Sequence, residues 1–216
     1  MLELLLKDFP DYYKLIRKVG VENKSFDSNF SLTDLKSCVD CHNKTNYFYR
    51  QCTDQIVFSV STNEKVDVIN HEKYIQQYSD KSEIASGGCC DYLLCSTNKV
   101  AFVDLTCTRP SYIDGHRVGI EFREGKRSVA FKQLKDSIDR LSVCPTIYSH
   151  IQHCVKKDAI LALRKKEFVF ESEKSPETHM QSFMKMASEQ SKYGIIQDMG
   201  NGFSFAVYEY PKVYIW

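Results

Sequence analysis

The sequence predicts a mixed α/β (α+β) fold, in which a central mixed sheet is flanked by helices. Three consecutive segments carry this prediction: an apolar hairpin at 90–107, an amphipathic helix at about 126–141 and a further apolar strand at 159–164. A helix with one apolar face, placed between strands, is expected to cover a face of the sheet that those strands form. The chain has 216 residues, so we expect a single domain spanning 1–216.

The composition is that of a folded chain without a strong overall charge. Hydrophobic residues make up 43% and charged residues 26%, which is enough apolar material for a core and excludes a disordered chain. The 29 basic and 28 acidic residues give a formal net charge of +1, which excludes a histone-like polycation. No apolar run reaches the roughly 18 residues that span a bilayer, and the N-terminal stretch lacks the features of a signal peptide. We therefore expect a cytoplasmic protein with no membrane partner.

The N-terminal part of the chain is predicted to combine helices with one or two strands. Ser31 and Thr33 stand before Leu35 as a plausible cap, and Asn70 stands at the start of another helical pattern. The predicted elements are a first helix extending through 11–19, a loop at 20–30, a short helix at 31–37, one or two strands within 46–62 and a helix at 70–79.

The hairpin consists of two apolar strands joined by a short polar turn. Residues 90–96 and 100–107 are the strands, and 97–99 form the turn, which is short enough to make the pair antiparallel. A loop rich in glycine follows before the helix begins. The helix has an apolar face because four residues recur at three- and four-residue steps, namely Phe131, Leu134, Ile138 and Leu141.

The C-terminal part is predicted to continue the alternation of strands and helices. The predicted elements are a strand at 159–164, a helix from Glu177 to about Tyr193, a turn at 200–202 and a closing hairpin within 203–216. The last of these rests on an alternating pattern of aromatic residues.

Two carboxylates in the predicted hairpin are candidates for a metal site. Asp91 opens the first strand, and Asp104 lies near the end of the second among apolar neighbours. Alternate strand residues share a face, so Thr106 projects on the same side as Asp104. An ionised carboxylate in apolar surroundings needs a partner, and paired carboxylates suit Mg²⁺. The other interpretation is an acid at the end of a strand that faces solvent or caps a loop.

The segments 90–106 and 130–141 resemble the PD-(D/E)XK nuclease superfamily. In that superfamily a strand begins with an Asp, and a hairpin turn leads to a strand carrying an acid, any residue and then Lys. A helix follows, often with a Gln-Leu pair. Asp91 matches the first acid, Asp104 matches the second, and Gln133 begins the Gln-Leu pair.

This resemblance covers about 50 residues, at about 88–141, and implies both a fold and a function. The implied fold is a restriction-endonuclease-like core within the mixed sheet. The implied function is hydrolysis of phosphodiester bonds in nucleic acid with Mg²⁺ or Mn²⁺, in the setting of defence or mobile elements. Asp91 and Asp104 would be the metal ligands, and the substrate could be DNA or RNA.

Thr106 departs from the motif, because it occupies the position of the Lys. That Lys helps to orient the attacking water and stabilises the charge of the transition state, which a hydroxyl cannot do. Some members of the superfamily carry the Lys on the following helix, which makes Lys132 a candidate substitute; its other interpretation is a solvated helix residue. The superfamily often adds an acid from an upstream helix, for which Glu72 is preferred to Glu83.

Other members of the superfamily have lost activity, so a catalytically inactive nuclease fold that acts as a binding or interaction module is an alternative. A protein partner or a homodimer would suit such a module. A second alternative is an interaction protein stabilised by zinc. Cys38 and Cys41 form half of a zinc site, to which His42 or Cys52 could add a ligand, but two thiols at the edge of a loop are the favoured interpretation.

Basic residues cluster after Asp104, where they could hold a phosphate backbone or form a solvated loop. This group consists of Arg109, His116, Arg117, Arg123, Lys126 and Arg127.

Overall fold

The computed structural model describes residues 1–15, 20–34, 56–108, 112–118, 120–165 and 197–216. Within these residues the chain is a mixed α/β fold of six helices and twelve strands. Several sequence predictions lie outside the described residues, namely any strand within 46–55, the helix at 177–193, the candidate zinc ligands Cys38, Cys41, His42 and Cys52, and the basic residue Arg109.

The helices are short, apart from α5. Their bounds are α1 Leu2–Leu6, α2 Asp8–Tyr12, α3 His71–Gln76, α4 Ser82–Ala85, α5 Lys126–Ser142 and α6 Pro145–His153. In the part of the chain that the structure describes, no helix is both long enough and apolar enough to cross a membrane.

The strands form three sheets. Their bounds are β1 Asn23–Phe26, β2 Phe30–Thr33, β3 Ile56–Ser61, β4 Val66–Asn70, β5 Tyr92–Cys95, β6 Lys99–Thr108, β7 His116–Val118, β8 Glu121–Arg123, β9 Lys156–Lys165, β10 Gln197–Gly200, β11 Phe203–Glu209 and β12 Val213–Ile215. The main sheet has seven strands in the order β1-β4-β5-β6-β9-β11-β10, a small sheet has the order β12-β3-β2, and β7 pairs with β8.

The main sheet is mixed, as the sequence predicted. Strand β5 runs antiparallel to both β4 and β6, whereas β9 runs parallel to both β6 and β11. A parallel connection between β6 and β9 needs a crossover, which α5 and α6 supply. The predicted hairpin is therefore the centre of the sheet, and the predicted helix returns the chain across one of its faces.

The two faces of the main sheet are covered by different layers. We call one the helical face, where Phe102 and Leu161 pack with Leu134 and Ile138 of α5. The other is the small-sheet face, where residues of odd number in β6 pack against β3 and β12. Since strand residues alternate between faces, Asp104 and Thr106 lie on the helical face with Phe102.

The predicted apolar stripe of α5 is confirmed. Leu134, Ile138 and Leu141 are fully buried, and Phe131 packs against the same cluster. The Asn70 cap is also confirmed, because its side-chain oxygen accepts a hydrogen bond from the Lys73 N–H at 3.0 Å.

Three N-terminal predictions are wrong. The predicted loop at 20–30 contains β1, and the predicted helix at 31–37 begins instead with β2, because these segments pair with β4 and β3. The predicted first helix is interrupted at Lys7 and its described part ends at Tyr12. Pro10 contributes to the interruption, since it has no N–H to bond the carbonyl of the preceding turn.

The closing hairpin predicted within 203–216 is also wrong. The turn at 200–202 does exist, but it joins β10 to β11. Strand β11 then pairs with β9, and β12 pairs with β3 in the small sheet. The alternating aromatic pattern reflects burial of Tyr214 and Trp216 against the main sheet, and it does not reflect pairing between the last two strands.

Candidate active site

The two candidate carboxylates lie at the same end of the β5–β6 hairpin. The last printed pair of the ladder is Tyr92 with Val103, and one further step in this register sets Asp91 opposite Asp104. Asp104 is almost buried on the helical face, with 9% of its surface exposed. Residues directly opposite in an antiparallel pair have Cβ atoms about 5 Å apart, so this placement favours a shared site.

Backbone groups on both sides fix the position of Asp91. Its side-chain Oδ2 accepts the N–H of Leu105, the residue after Asp104, at 2.7 Å. Its carbonyl oxygen accepts the N–H groups of His71 at 3.0 Å and Glu72 at 3.3 Å, at the start of α3. The Asp91 carboxylate is thereby held beside the Asp104 backbone, and the start of α3 is held beside Asp91.

Helix α5 holds the loop that leads into Asp91. The Gly88 N–H donates to Asp136 Oδ2 at 2.6 Å, and the Cys90 N–H donates to Ser137 Oγ at 2.9 Å. The buried Arg140 side chain donates through Nη2 to the carbonyls of Ser86 at 2.7 Å and Gly88 at 2.9 Å. Four backbone groups of the loop are thus satisfied by one face of one helix, which restricts where the next strand can begin.

Gln133 belongs to this contact between helix and loop. Its Nε2 donates to the carbonyl of Cys89 at 3.4 Å, and a Cβ on Gly88 would lie only 2.6 Å from its Cγ and 2.8 Å from its Cα. The Gln that the resemblance identified therefore positions the loop before Asp91 in this structure.

The negative charges of nearby acids help to raise the pKa values of two thiols, Cys89 and Cys90. Burial raises the pKa of Cys90 well above its usual value, and the charges of Cys89, Asp104 and Asp91 add to the rise. Burial also raises the pKa of Cys89 to about 12; the charge of Arg140 opposes this rise, whereas the charges of Glu72 and Asp91 add to it. Both thiols are therefore protonated at neutral pH, and the charges of Glu72, Asp91 and Asp104 favour this protonated form.

His71 lies beside the same thiols but carries no charge. Its Nδ1 is 3.3 Å from Cys89 Sγ and 3.4 Å from Cys90 Sγ. Burial, together with the charge of Arg140, lowers the pKa of His71 to about 3. The imidazole is therefore neutral at physiological pH and does not supply the positive charge of the motif Lys.

The structure places the candidate substitute Lys132 on the exposed side of α5. Its Nζ lies 2.6 Å from Glu124 Oε1 and 2.9 Å from Oε2, with 62% of the side chain exposed. Thr106 is buried on the helical face, two residues after Asp104. In this arrangement the ammonium group of Lys132 faces the segment before α5.

The structure distinguishes the two candidate upstream acids. Glu72 follows His71 at the start of α3, and its N–H bonds the Asp91 carbonyl. Glu83 is exposed on α4, where it lines a cleft with Tyr13 and Ile84. Of the two candidates, Glu72 is thus the one whose backbone lies next to that of Asp91.

The donor set fits a hard divalent cation that keeps several water ligands. Among the residues that the structure describes, no three His, Cys, Asp or Glu side chains have the geometry of a closed metal site. Mg²⁺ typically binds through one or two carboxylates and completes its shell with water and phosphate oxygens. Two carboxylates such as Asp91 and Asp104 match the number of ligands in that mode of binding, and Mn²⁺ accepts the same oxygen ligands.

Sequence reasoning missed the residues that support the site. Ser137 and Arg140 are polar residues on the buried side of α5, where apolar residues are expected. Together with Gln133 they recur at four- and three-residue steps. This spacing places three polar residues on one side of a helix, and it is the signal that could have identified them. His71 had no comparable signal, because its contacts with Cys89 and Cys90 depend on the fold.

No protein-family model matches the chain, and no curated protein or solved structure matches it significantly.

Proposed function

We propose that the protein is a metal-dependent nuclease that hydrolyses phosphodiester bonds, with Asp91 and Asp104 as the metal ligands. The observation that carries the proposal is the hydrogen bond from the Leu105 N–H to Asp91, which holds one acid next to the backbone of the other. Strands β5 and β6 and helix α5 also follow one another in the order that the resemblance requires. A role in defence or mobile-element biology rests on that resemblance alone.

The protein's own contribution is to hold two oxygen donors on one face of a rigid hairpin. Asp91 is oriented by the Leu105 N–H and by the loop bonded to α5, whereas Asp104 is oriented by the strand itself. A bound Mg²⁺ would supply a water of lowered pKa and a positive charge for the transition state. Glu72 of α3 would be a further acid, and the Thr106 hydroxyl would donate a hydrogen bond.

The direct test is degradation of labelled DNA and RNA with Mg²⁺ or Mn²⁺. We expect Asp104→Asn to lower the cleavage rate at least about 100-fold, because the loss of one of two carboxylates weakens metal binding and catalysis. Asp27→Asn, in the exposed turn between β1 and β2, is the matched control and should cleave like the wild type. Equal cleavage by wild type and Asp104→Asn would exclude this site.

A second candidate function is a catalytically inactive member of the same fold that binds a partner. The observation that favours it concerns the two groups that could replace the positive charge of the motif Lys. Lys132 is paired with Glu124, and His71 is neutral. This hypothesis expects no cleavage by the wild type with either metal and recovery of cleavage in Thr106→Lys.

If the wild type is active, loss of cleavage in Lys132→Ala would identify Lys132 as the substitute for the motif Lys, and unchanged cleavage would reject that role.

The zinc-stabilised interaction protein remains a separate hypothesis, because Cys38 and Cys41 lie outside the described residues. Metal analysis of the purified protein tests it, since a structural site retains about one zinc per chain.

A further inference from the structure

A two-stranded hairpin projects between the strand that carries Asp104 and the helix that holds the Asp91 loop. Strands β7 and β8 pair from His116 with Arg123 to Val118 with Glu121. The sequence predicted only a loop here, and the hairpin pairs with neither of the other sheets.

The base of this hairpin is firmly attached to the domain. Ile113 is fully buried, and its carbonyl accepts the Arg127 N–H at 3.0 Å. Arg127 Nε also lies 3.1 Å from Asp114 Oδ1. A Cβ on Gly125 would lie 2.1 Å from the Gly115 nitrogen, so glycine is required where the two ends of the segment cross.

The far part of the hairpin exposes apolar side chains. Ile120 is 100% exposed and Phe122 is 67% exposed. The Phe122 ring is nevertheless supported, because its Cζ would lie 2.6 Å from a Cβ on Gly115, a residue whose φ of +94° also favours glycine. An aromatic ring that is supported at its edge and open to water provides a preformed stacking surface, which loses little conformational entropy on binding.

Basic residues outnumber acidic residues in the sequence around this ring. The sequence from 109 to 127 contains five Lys or Arg residues and three Asp or Glu residues. Two of those acids are already in ion pairs, Asp114 with Arg127 and Glu124 with Lys132. Arg123 and Lys126 are exposed next to Phe122 and at the start of α5.

We propose that the β7–β8 hairpin binds single-stranded nucleic acid, with an unpaired base stacked on Phe122 and the backbone held by Arg123 and Lys126. Exposed aromatic rings among basic residues are the arrangement that binds single strands without sequence preference, whereas the bases of a duplex are already stacked on one another. Charge complementarity favours this occupant over an apolar protein surface.

This inference deepens the proposed function, and rests on it, by naming a single strand as the substrate. Helix α5 begins at Lys126, directly after the hairpin, and Gln133 touches the carbonyl of Cys89. These two residues are about 10 Å apart along the helix axis. A strand bound at the hairpin would therefore reach the Asp91 and Asp104 carboxylates within a few nucleotides.

The test measures binding without metal, so that no cleavage occurs. Fluorescence anisotropy with a labelled 15-nucleotide oligo(dT), and with a duplex of the same length, is run in EDTA at fixed salt concentration. We expect the wild type to bind the single strand more tightly than the duplex, and Phe122→Ala to weaken single-strand binding about tenfold. Tyr148→Ala, which removes an exposed aromatic ring from α6, is the matched control and should bind within twofold of the wild type.

Equal binding of the single strand by wild type and Phe122→Ala would overturn the inference, and so would a preference for the duplex. A dimer that Phe122→Ala dissociates in sedimentation, without single-strand binding, would overturn it in favour of a second copy of the chain. The nuclease activity is tested by a separate outcome. If binding depends on Phe122 but no cleavage is found with metal, the nuclease activity is rejected and the binding site is retained. Because Phe122 is exposed, unchanged melting temperatures should accompany these substitutions.

Discussion

The neutral imidazole of His71 illustrates how burial changes the chemistry of one residue. It lies between two thiols and the Phe102 ring, and its Nε2 has no hydrogen-bond partner in the described structure. Protonation would place a charge where water does not reach, so the folded protein resists it. This resistance couples folding to pH.

We expect His71 to make the folded protein less stable as the pH falls from about 6.5 towards 3. The unfolded chain binds a proton near pH 6.5, whereas the folded protein does so only near pH 3, as its lowered pKa shows. Between these values the unfolded state binds more protons, so the free energy of unfolding falls by up to about 1.4 kcal/mol for each pH unit. Above pH 6.5 both states are neutral at this residue and the effect is absent.

Urea unfolding of wild type and His71→Gln at a series of pH values from 7.5 to 4.5 gives the free energy of unfolding as a function of pH. The difference between the slopes of these two curves measures the contribution of His71. His153→Gln changes an exposed histidine of α6 and should follow the wild-type curve. Parallel curves for wild type and His71→Gln would show that His71 is not the buried neutral group described here.

At the scale of elements, the fit between α5 and the loop before Asp91 depends on the absence of one side chain. A Cβ on Gly88 would lie 2.6 Å from Gln133 Cγ and 2.8 Å from Gln133 Cα. The second of these atoms belongs to the helix backbone and cannot turn away as a flexible side chain can. The loop and the helix would have to separate to admit even a methyl group.

We therefore expect Gly88→Ala to lower the free energy of unfolding by about 1–3 kcal/mol, the usual cost of an overpacked contact. Separation would also lengthen the hydrogen bonds from Gly88 to Asp136 and from Cys90 to Ser137, which position Asp91. Chemical denaturation measures the change. Gly20→Ala is the matched control, since nothing lies within 4 Å of the added methyl group, and the contact would be refuted if both variants were equally stable.

At the scale of the whole molecule, the small sheet is attached to the main sheet by aromatic side chains. Tyr214 of β12 donates a short hydrogen bond to Asp158 of β9, and its ring packs against Phe58 and Tyr208. Lys156 Nζ lies 4.3 Å from the centre of the same ring. Strands that are distant in sequence are joined at this point.

We expect Tyr214→Ala to lower the free energy of unfolding by about 3–5 kcal/mol, because it opens a cavity between the two sheets. Tyr214→Phe keeps the ring and should cost only about 1 kcal/mol for the lost hydrogen bond. Urea unfolding distinguishes these values. Val213→Ala, on the exposed side of the same strand, should stay within about 0.5 kcal/mol of the wild type; a similar loss in that variant would mean that β12 as a whole, and not the Tyr214 ring, joins the sheets.

Elements with a strong local pattern were predictable from the sequence. The β5–β6 hairpin and α5 have apolar residues at the period of their own secondary structure, and Asn70 caps α3 through a contact three residues away. The prediction that Asp91 and Asp104 lie at one end of the hairpin needed only the length of its turn. Whether their carboxylates share a cation stays a prediction.

The tertiary structure alone decided which distant segments meet. Strands β1 and β2 have only four residues each, too few for a local pattern to identify a strand, and β4 and β3 supply their hydrogen-bond partners. The aromatic tail is divided between two sheets for the same reason, and the contacts of His71 and Arg140 at the site join residues up to 54 positions apart. Local patterns in a sequence report the preferences of neighbouring residues, whereas strand partners and buried polar contacts are selected by the free energy of the whole folded chain, in which each backbone polar group must find a partner.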